Sequence, residues 1–249
     1  MKYQKSHITK MNILETSRHC FYEYGYKNTT MRIIGKKCNI SQSLLYYYFK
    51  SKHDVATELM ADFYQKSEDV LSQYINQQQE PFLYLLCLCR LLYKEVQKDP
   101  KEQRFYEEIF ENGNPDRPFT HVLLKAIQEY THNPSLSIAD AIIIVTIGDC
   151  IWTKLIEMNR TSTLSMTSKE ILRITDITRF SYLDIDKSKL EQAIACADQI
   201  VDSIPIQNFK LISFDPESLS PVNQATENPN KDNGSVKIYA QNCLQAPAE

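Results

Sequence analysis

Glycine and proline are scarce in this sequence. Only 5 of the 249 residues are glycine, about 2% against a typical ~7%, and none of the 10 prolines precedes Pro81. Both residues build tight turns, hairpins and phosphate-binding loops, so their scarcity argues against multi-stranded barrels, sandwiches and nucleotide folds with glycine-rich loops. No G-x-G-x-x-G or G-x-x-x-x-G-K motif occurs. These absences predict an all-α protein.

Signals for membranes, disulfides and metals are also missing. The longest apolar stretch, 141–148, is far shorter than the ~20 residues that span a bilayer, and residues 1–10 hold no apolar segment of a signal peptide. The seven scattered cysteines are an odd number, so we expect reduced, buried thiols. No C-x-x-C or H-x-x-x-H spacing indicates zinc. We therefore expect a cytoplasmic protein without metal or cofactor, and no catalytic constellation suggests an enzyme.

The formal net charge of −3 conceals an uneven distribution. Residues 1–52 carry ten basic and two acidic side chains, a net charge of +8, while the remainder carries 18 basic and 29 acidic ones, a net charge of −11. A basic segment of this density is typical of phosphate binding, and so of a nucleic-acid partner. A solvated basic arm would have the same charge, and charge alone does not separate the two interpretations.

The spacing of a helix-turn-helix follows the first predicted helix. Apolar periodicity predicts that helix over 7–24, and two short helices over 31–38 and 42–49 are separated by a three-residue turn. Gly35 lies inside the second helix, where glycine costs roughly 1 kcal/mol relative to alanine. We expect the third helix to cross the second one there. The predicted small core of this unit is Ile34, Cys38, Ile40, Leu45 and Phe49.

Seven more helices are predicted after this unit. The first is long, over 52–76, and a capping box of Ser51 and Asp54 starts it. The others are predicted over 81–98, 101–112, 118–131, 136–159, 167–180 and 187–204. Half of the prolines lie from Pro205 onward, so we expect a disordered or loosely packed tail. The predicted domains are a helix-turn-helix domain over 1–52, a helical domain over 53–208 and the tail over 209–249.

Three segments of the N-terminal unit resemble the DNA-binding domain of tetracycline-repressor (TetR) family regulators. They are Thr29 to Ile34 (TTMRII), Ile40-Ser41, and Leu45 to Lys52 (LYYYFKSK), and the resemblance covers about residues 8–56. It implies a homodimer that binds a near-palindromic double-stranded DNA operator, and a C-terminal domain whose small-molecule effector releases the DNA. A ligand-independent regulator or activator, or a helical interaction protein with a non-functional head, remains an alternative.

The resemblance implies that the third helix reads base edges. Gln42 is the best candidate, because its amide can pair bidentately with adenine. Leu44 stands where a small polar residue is common, which leaves contact with a thymine methyl. Thr30 and Lys52 match positions that bind phosphate, and Arg32 matches one that reaches a guanine in some members. The predicted DNA-binding residues are Thr30, Arg32, Gln42, Ser43, Leu44, Tyr46, Tyr47, Tyr48 and Lys52.

A carboxylate inside the apolar run 142–152, that of Asp149, must be paired or face a cavity. One interpretation is a pocket for the effector, with Trp152 and several tyrosines in its wall. The other, which we favour, pairs Asp149 with a tyrosine hydroxyl or an arginine and places Trp152 in the core. The predicted ligand-binding residues are Tyr84, Tyr93, Tyr106, Asp149 and Trp152.

Two long helices, over 136–159 and 187–204, are predicted to form the dimer interface, because family members usually dimerise through their last two long helices. An apolar stripe in the second helix suits such an interface. A core within one chain would produce the same pattern. The stripe residues are Leu190, Ile194, Ala197 and Val201.

Overall fold

Ten helices and their connecting loops make up the described part of the chain. The computed structural model describes residues 2–110, 120–183, 185–205 and 211–212, and these contain no β-strand. The all-α prediction is confirmed. The helices are α1 (Lys2–Tyr24), α2 (Met31–Lys37), α3 (Gln42–Tyr48), α4 (Lys52–Leu71), α5 (Pro81–Lys98), α6 (Pro100–Phe110), α7 (Thr120–Thr131), α8 (Ile138–Arg160), α9 (Ser168–Phe180) and α10 (Lys187–Ser203).

Each predicted helix has one counterpart, and the largest differences lie at the ends of α1 and α4. Helix α1 begins at Lys2, five residues before the predicted start. Helix α4 ends at Leu71 rather than near 76, and Asn76 then closes a separate turn by accepting from the Gln78 amide. Ile75 is buried there although it lies outside the helix. Apolar periodicity therefore extends beyond the end of α4.

Helices α1 to α3 form a small unit that we call the head. Its buried side chains include Ile34, Leu45 and Phe49, as predicted. Gly25 ends α1 with a φ of 85°, and Asn39 turns the chain between α2 and α3 with a φ of 54°. Both angles are left-handed, the region that glycine adopts freely and that asparagine tolerates. The turn residues therefore fix the helix-turn-helix geometry.

Hydroxyl caps begin the helices on either side of the turn. Thr30 Oγ1 accepts from the Ile33 amide and Ser41 Oγ accepts from the Leu44 amide. Each cap satisfies one backbone N–H that has no partner within the helix. Threonine and serine are among the residue types that most often cap helices in this way.

Helices α4 to α10 form the rest of the described chain, which we call the body. Helix α5 is its centre: residues 82–93 of this helix are all buried, and α4, α6, α7 and α10 pack around it. Helices α8 and α9 pack against each other. None of the described helices is both long and apolar enough to cross a membrane.

Helix α6 joins the body to the head. Arg104 Nη2 donates to the Tyr22 carbonyl at 2.9 Å, and Glu108 Oε2 accepts from the Lys27 amide at 2.8 Å. The Tyr22 hydroxyl donates to Asp99, just before α6, which raises the pKa of Tyr22 to about 12. The end of α1 is thus held by polar contacts to one helix of the body.

A short segment beyond α10 returns to this junction. Leu211 and Ile212 are fully buried. Arg18 of the head donates to the Leu211 carbonyl, and the Ile212 amide donates to the Glu102 carboxylate of α6 at 3.0 Å. The prediction of a loosely packed tail is therefore wrong for Leu211 and Ile212, which are buried and hydrogen-bonded. The remaining residues of the predicted tail lie outside the described ranges.

The cysteines of the described residues are free thiols. Five are buried and Cys150 is exposed, while Cys243 lies outside the described ranges. Burial raises the pKa of Cys20 to about 11. A thiol with such a pKa is unreactive at neutral pH.

Candidate nucleic-acid interface

Helix α3 is exposed along most of its length. Five of its seven residues are exposed, and Leu45 is the one that is buried. The side chain of Tyr47 is 78% exposed, Tyr46 49% and Leu44 39%. Large apolar and aromatic side chains on a folded surface commonly mark a contact site. The exposed face of α3 has the width and chemistry of a helix that enters a DNA groove.

Gln42, at the start of α3, is exposed and lies against α2. A Cβ atom on Gly35 would be 2.5 Å from Gln42 Nε2 and 3.5 Å from Leu45 Cδ2. The predicted close approach of α3 to α2 is therefore present. The neighbour that needs the space is the amide of Gln42, the residue that was predicted to read a base.

Tyr48 differs from the two tyrosines before it. It is half-buried, and its hydroxyl lies 3.1 Å from Ser6 Oγ of α1. The rings of Tyr47 and Tyr48 meet edge to face, with centroids 5.2 Å apart. Tyr48 therefore packs α3 onto α1 and supports the exposed ring of Tyr47.

Lys52, the first residue of α4, is half-buried, and its ammonium bonds to the head rather than being free at the surface. Its ammonium donates to the Tyr26 carbonyl at 2.6 Å and to the Lys27 carbonyl at 3.3 Å, and it lies 4.3 Å from the centroid of the Tyr26 ring. Partial burial lowers the pKa of Lys52. These bonds use two of three ammonium protons. The predicted phosphate residue also holds the end of α1 to the start of α4.

Basic side chains of α2 lie at the surface beside the turn. Arg32, Lys36 and Lys37 are all exposed. A hydrogen bond with Tyr24 raises the pKa of Lys37, so this lysine is charged at neutral pH. Arg32 and Lys36 form no ion pair with any described residue. The exposure of Lys36 and Lys37 makes them stronger phosphate candidates than Lys52.

Four of the five predicted ligand residues lie together in the body. The Tyr106 hydroxyl donates to Asp149 Oδ1 at 3.2 Å, and Trp152 stacks on Tyr93 with centroids 4.8 Å apart and meets Tyr106 edge to face. Trp152 is fully buried. This is the packed arrangement that we favoured, in which a tyrosine pairs with Asp149.

Tyr84 is not part of this cluster. Burial and the nearby carboxylates of Glu68 and Asp69 on α4 raise the pKa of Tyr84. Nine residues separate it from Tyr93, which is roughly 13 Å along a helix. The sequence could not show that Tyr84 and Tyr93 lie in different places, since both belong to a part of α5 that is buried on all sides.

The predicted dimer stripe of α10 is buried within the chain. Leu190, Ile194, Ala197 and Val201 are each at most 3% exposed, and α10 packs on α5. Of the two arrangements that fit the apolar stripe, a dimer interface or a core within one chain, the structure has the core. Helices α8 and α9 instead expose isoleucine side chains, Ile143 and Ile174.

A buried cluster of charges was missed by sequence analysis. Arg90 Nη1 donates to Asp176 at 2.7 Å and Arg90 Nε to Asp198 at 2.5 Å, while Arg179 donates to the other oxygen of Asp176. The cluster joins α5, α9 and α10. No sequence signal identifies it, because Arg90 is 86 residues from Asp176 and 108 from Asp198.

No group of histidine, cysteine and carboxylate side chains in the described ranges could hold a metal ion.

Comparison with known proteins agrees with this geometry. Residues 13–59 match the sequence model of bacterial regulatory proteins of the tetR family. The chain is 27% identical over 150 residues to YttP of Bacillus subtilis (strain 168), described as a probable HTH-type transcriptional regulator. The aligned residues cover 47% of this chain and 72% of YttP. It is 32% identical over 66 residues to the HTH-type regulator YhgD of the same organism, covering 25% and 35%.

A solved structure of a gamma-butyrolactone receptor (ArpA-like protein) aligns with 80% of this chain and 100% of that one, at 13% identity and a TM-score of 0.45. The family match covers the head and the start of α4, including the caps and α3 described above. Residues 13–59 therefore carry the DNA-binding domain of the tetR family of bacterial regulatory proteins.

Proposed function

We propose that this protein is a repressor that binds a near-palindromic operator as a homodimer and is released by a small-molecule effector. Residues 1–52 form the DNA-binding domain and α3 enters the major groove. The observation that carries the proposal is the exposed face of α3 on a head whose helices are capped and whose turn is fixed. A helix that only packed would bury more than one residue in seven.

The DNA contacts divide into two kinds. Gln42, Ser43, Leu44 and Tyr46 lie on or near the exposed N-terminal part of α3, where side chains of a recognition helix meet base edges. Arg32, at the start of α2, matches a position that reaches a guanine in some members. The other predicted residues, with the two lysines of α2, hold phosphates and set the register of the helix. They are Thr30, Lys36, Lys37, Tyr47, Tyr48 and Lys52.

Helices α8 and α9 are proposed to form the dimer interface. Ile143 and Thr146 of α8 and Ile174 and Thr178 of α9 are exposed on neighbouring helices. Two such helices from each protomer would form a four-helix bundle about a two-fold axis. A symmetric dimer places two heads on one face, which explains why a near-palindromic operator is expected.

The effector is proposed to act through the aromatic cluster of the body. The indole N–H of Trp152 is buried and has no hydrogen-bond acceptor among the described residues. A ligand carbonyl or hydroxyl could accept from it after a small opening of the cluster. Tyr106 belongs to α6, the helix that also bonds the head through Arg104 and Glu108. Movement of α6 would therefore change the position of α1.

Release requires the effector to prefer the dimer that cannot bind DNA. A tenfold loss of operator affinity corresponds to roughly 1.4 kcal/mol of differential effector binding. Trp152 is the only tryptophan of the chain, so its fluorescence reports directly on occupancy of the cluster. An effector that releases DNA without changing this fluorescence would place the site elsewhere.

A mobility-shift titration tests the DNA-binding part of the proposal. Full-length protein is titrated onto the duplex upstream of its own gene and onto an unrelated duplex, at several salt concentrations. We expect tighter binding to the first duplex and affinity that falls as salt increases, since phosphate contacts release counterions. Absence of binding even at low salt would favour the interaction protein with a non-functional head.

A further inference from the structure

A cavity of the body lies between α5, α9 and α10, apart from the aromatic cluster. Its volume is about 330 Å³, within the usual range of small-molecule sites. Its wall combines basic, amide and apolar side chains. The lining residues used below are Arg90, Lys94, Gln97, Lys169, Leu172 and Val201.

Arg90 brings a buried donor to this cavity. Its side chain is 2% exposed, and Nη2 has no hydrogen-bond acceptor among the described residues. The Nε and Nη2 protons leave a guanidinium from the same edge. Nη2 therefore lies on the side of Asp198, which accepts from Nε and also lines the cavity. Buried donors are nearly always satisfied in native proteins, so this one points to a missing acceptor.

Gln97 brings a second donor of the same kind. Its Nε2 is buried and also has no acceptor within the described ranges. Arg90, Lys94 and Gln97 are spaced i, i+4 and i+7 along α5, which places them on one face of that helix. The two residues that hold unsatisfied donors thus line one cavity from successive turns of α5.

The carboxylates at the cavity are already engaged. Asp198 accepts from Arg90, and Asp202 accepts from Lys169 at 2.5 Å. Lys94 is 3.9 Å from Asp202, beyond hydrogen-bond distance. Four cationic side chains line the cavity with these two carboxylates. Lys98 is engaged by Glu95 and Arg90 also by Asp176, so Lys94 supplies the surplus charge. This charge and the unsatisfied donors both favour an anion.

The opposite wall is apolar. Leu172 of α9 and Val201 of α10 line the cavity, and both are largely buried. A bare inorganic anion would leave this wall without a partner. We propose that the cavity between α5, α9 and α10 binds a compact organic carboxylate, with its oxygens on Arg90 and Gln97 and its apolar body against Leu172 and Val201.

Binding here does not depend on the proposed function, because it is measured on the full chain without DNA. Isothermal titration compares hexanoate, acetate and 1-hexanol, which separate the carboxylate from the apolar body. We expect hexanoate to bind more tightly than acetate, and 1-hexanol not to bind. Equal binding of hexanoate and 1-hexanol, or no binding of hexanoate, would overturn the proposal.

Two substitutions locate the binding. Gln97→Glu replaces a donor by a negative charge of the same shape, and Lys169→Gln removes a charge from the rim. We expect each to weaken hexanoate binding by about tenfold or more, as for the loss of a charge-assisted hydrogen bond. The matched controls are Gln192→Glu and Lys154→Gln, exposed residues of the body that do not line the cavity.

The controls should bind hexanoate as the wild type does. Hexanoate affinity that is unchanged by Gln97→Glu, or lowered equally by the control substitutions, would contradict the site. Circular dichroism melting shows whether each variant is folded, so a lost fold is not mistaken for a lost site. Arg90 is not substituted, because removing it would take a buried ion-pair partner from both Asp176 and Asp198.

Discussion

Gln42 and Gly35 mark the closest approach of α3 to α2. The amide of Gln42 occupies the space in which a Cβ atom at position 35 would lie. Gly35 does not have a positive φ, so its backbone could accept any helical residue. The glycine is needed for the position of the proposed base reader, and only secondarily for the fold of the head.

Gly35→Ala separates these two effects. We expect the free energy of unfolding to stay unchanged or to rise by up to about 1 kcal/mol, because alanine favours helix and the displaced atom ends a flexible side chain. DNA affinity at the preferred sequence should fall, since Gln42 Nε2 must move. Urea denaturation and a DNA titration measure the two quantities. Strong destabilisation with unchanged DNA binding would show that the glycine serves the fold alone.

Local residues of the head could be predicted, whereas distant partners could not. Ser51 and Asp54 form the predicted capping box, since a cap depends on residues three apart. Lys52 bonds to carbonyls that precede it by 25 and 26 residues. Its role depends on how α4 docks on α1, which no local pattern contains.

Helix α6 is the element that contacts the head, the aromatic cluster and the segment beyond α10. Its contacts leave from different sides of the helix: Glu108 holds Lys27, Tyr106 bonds Asp149, and Glu102 accepts from Ile212. The Ile212 amide thus supplies a hydrogen bond to the carboxylate of Glu102, a residue that is 1% exposed. The segment at 211–212 therefore stabilises the junction between head and body.

Ile212→Ala tests whether this segment contributes to stability. Ile212 is fully buried, so we expect the free energy of unfolding to fall by about 2–4 kcal/mol. The matched control is Ile138→Ala on α8, where the isoleucine is 39% exposed and the loss should stay within about 0.5 kcal/mol. Chemical denaturation measures both. Equal, small losses would mean that residue 212 is not packed in solution.

The periodicity of α10 shows what a sequence pattern predicts about an element. The spacing of Leu190, Ile194 and Val201 correctly predicts that one face is buried. It does not specify the partner, because α5 and a second protomer would both select apolar residues. The stretch 83–89 of α5 is apolar on all sides, which is typical of a central helix, and these residues are buried.

At the scale of the whole molecule, charge is divided between a basic N-terminal segment and an acidic remainder. The +8 of residues 1–52 lies on the segment that carries α1 to α3, and the −11 lies on the rest. Repulsion between phosphates and the acidic body favours orientations in which the head meets DNA. The sequence could predict this division, but not which basic groups stay exposed.

Dimerisation through α8 and α9 is the prediction at this scale. Ile143→Asp places a charge in the centre of the proposed interface, where its desolvation is unfavourable. We expect the variant to sediment as a monomer and to lose most operator affinity. Ile8→Asp, at an exposed isoleucine of α1, should remain a dimer. Analytical ultracentrifugation measures this, and an Ile143→Asp dimer of wild-type stability would place the interface elsewhere.

Selection of bound sequences from a randomised duplex library tests most directly whether α3 reads bases while α2 holds phosphates. Full-length wild type, Gln42→Ala and Lys36→Ala are compared. We expect Gln42→Ala to change the preferred bases, and Lys36→Ala to weaken binding to all sequences alike and to lower the salt slope by about 1. Equal loss of sequence preference in both variants, or no selected sequence for the wild type, would contradict DNA recognition by α3.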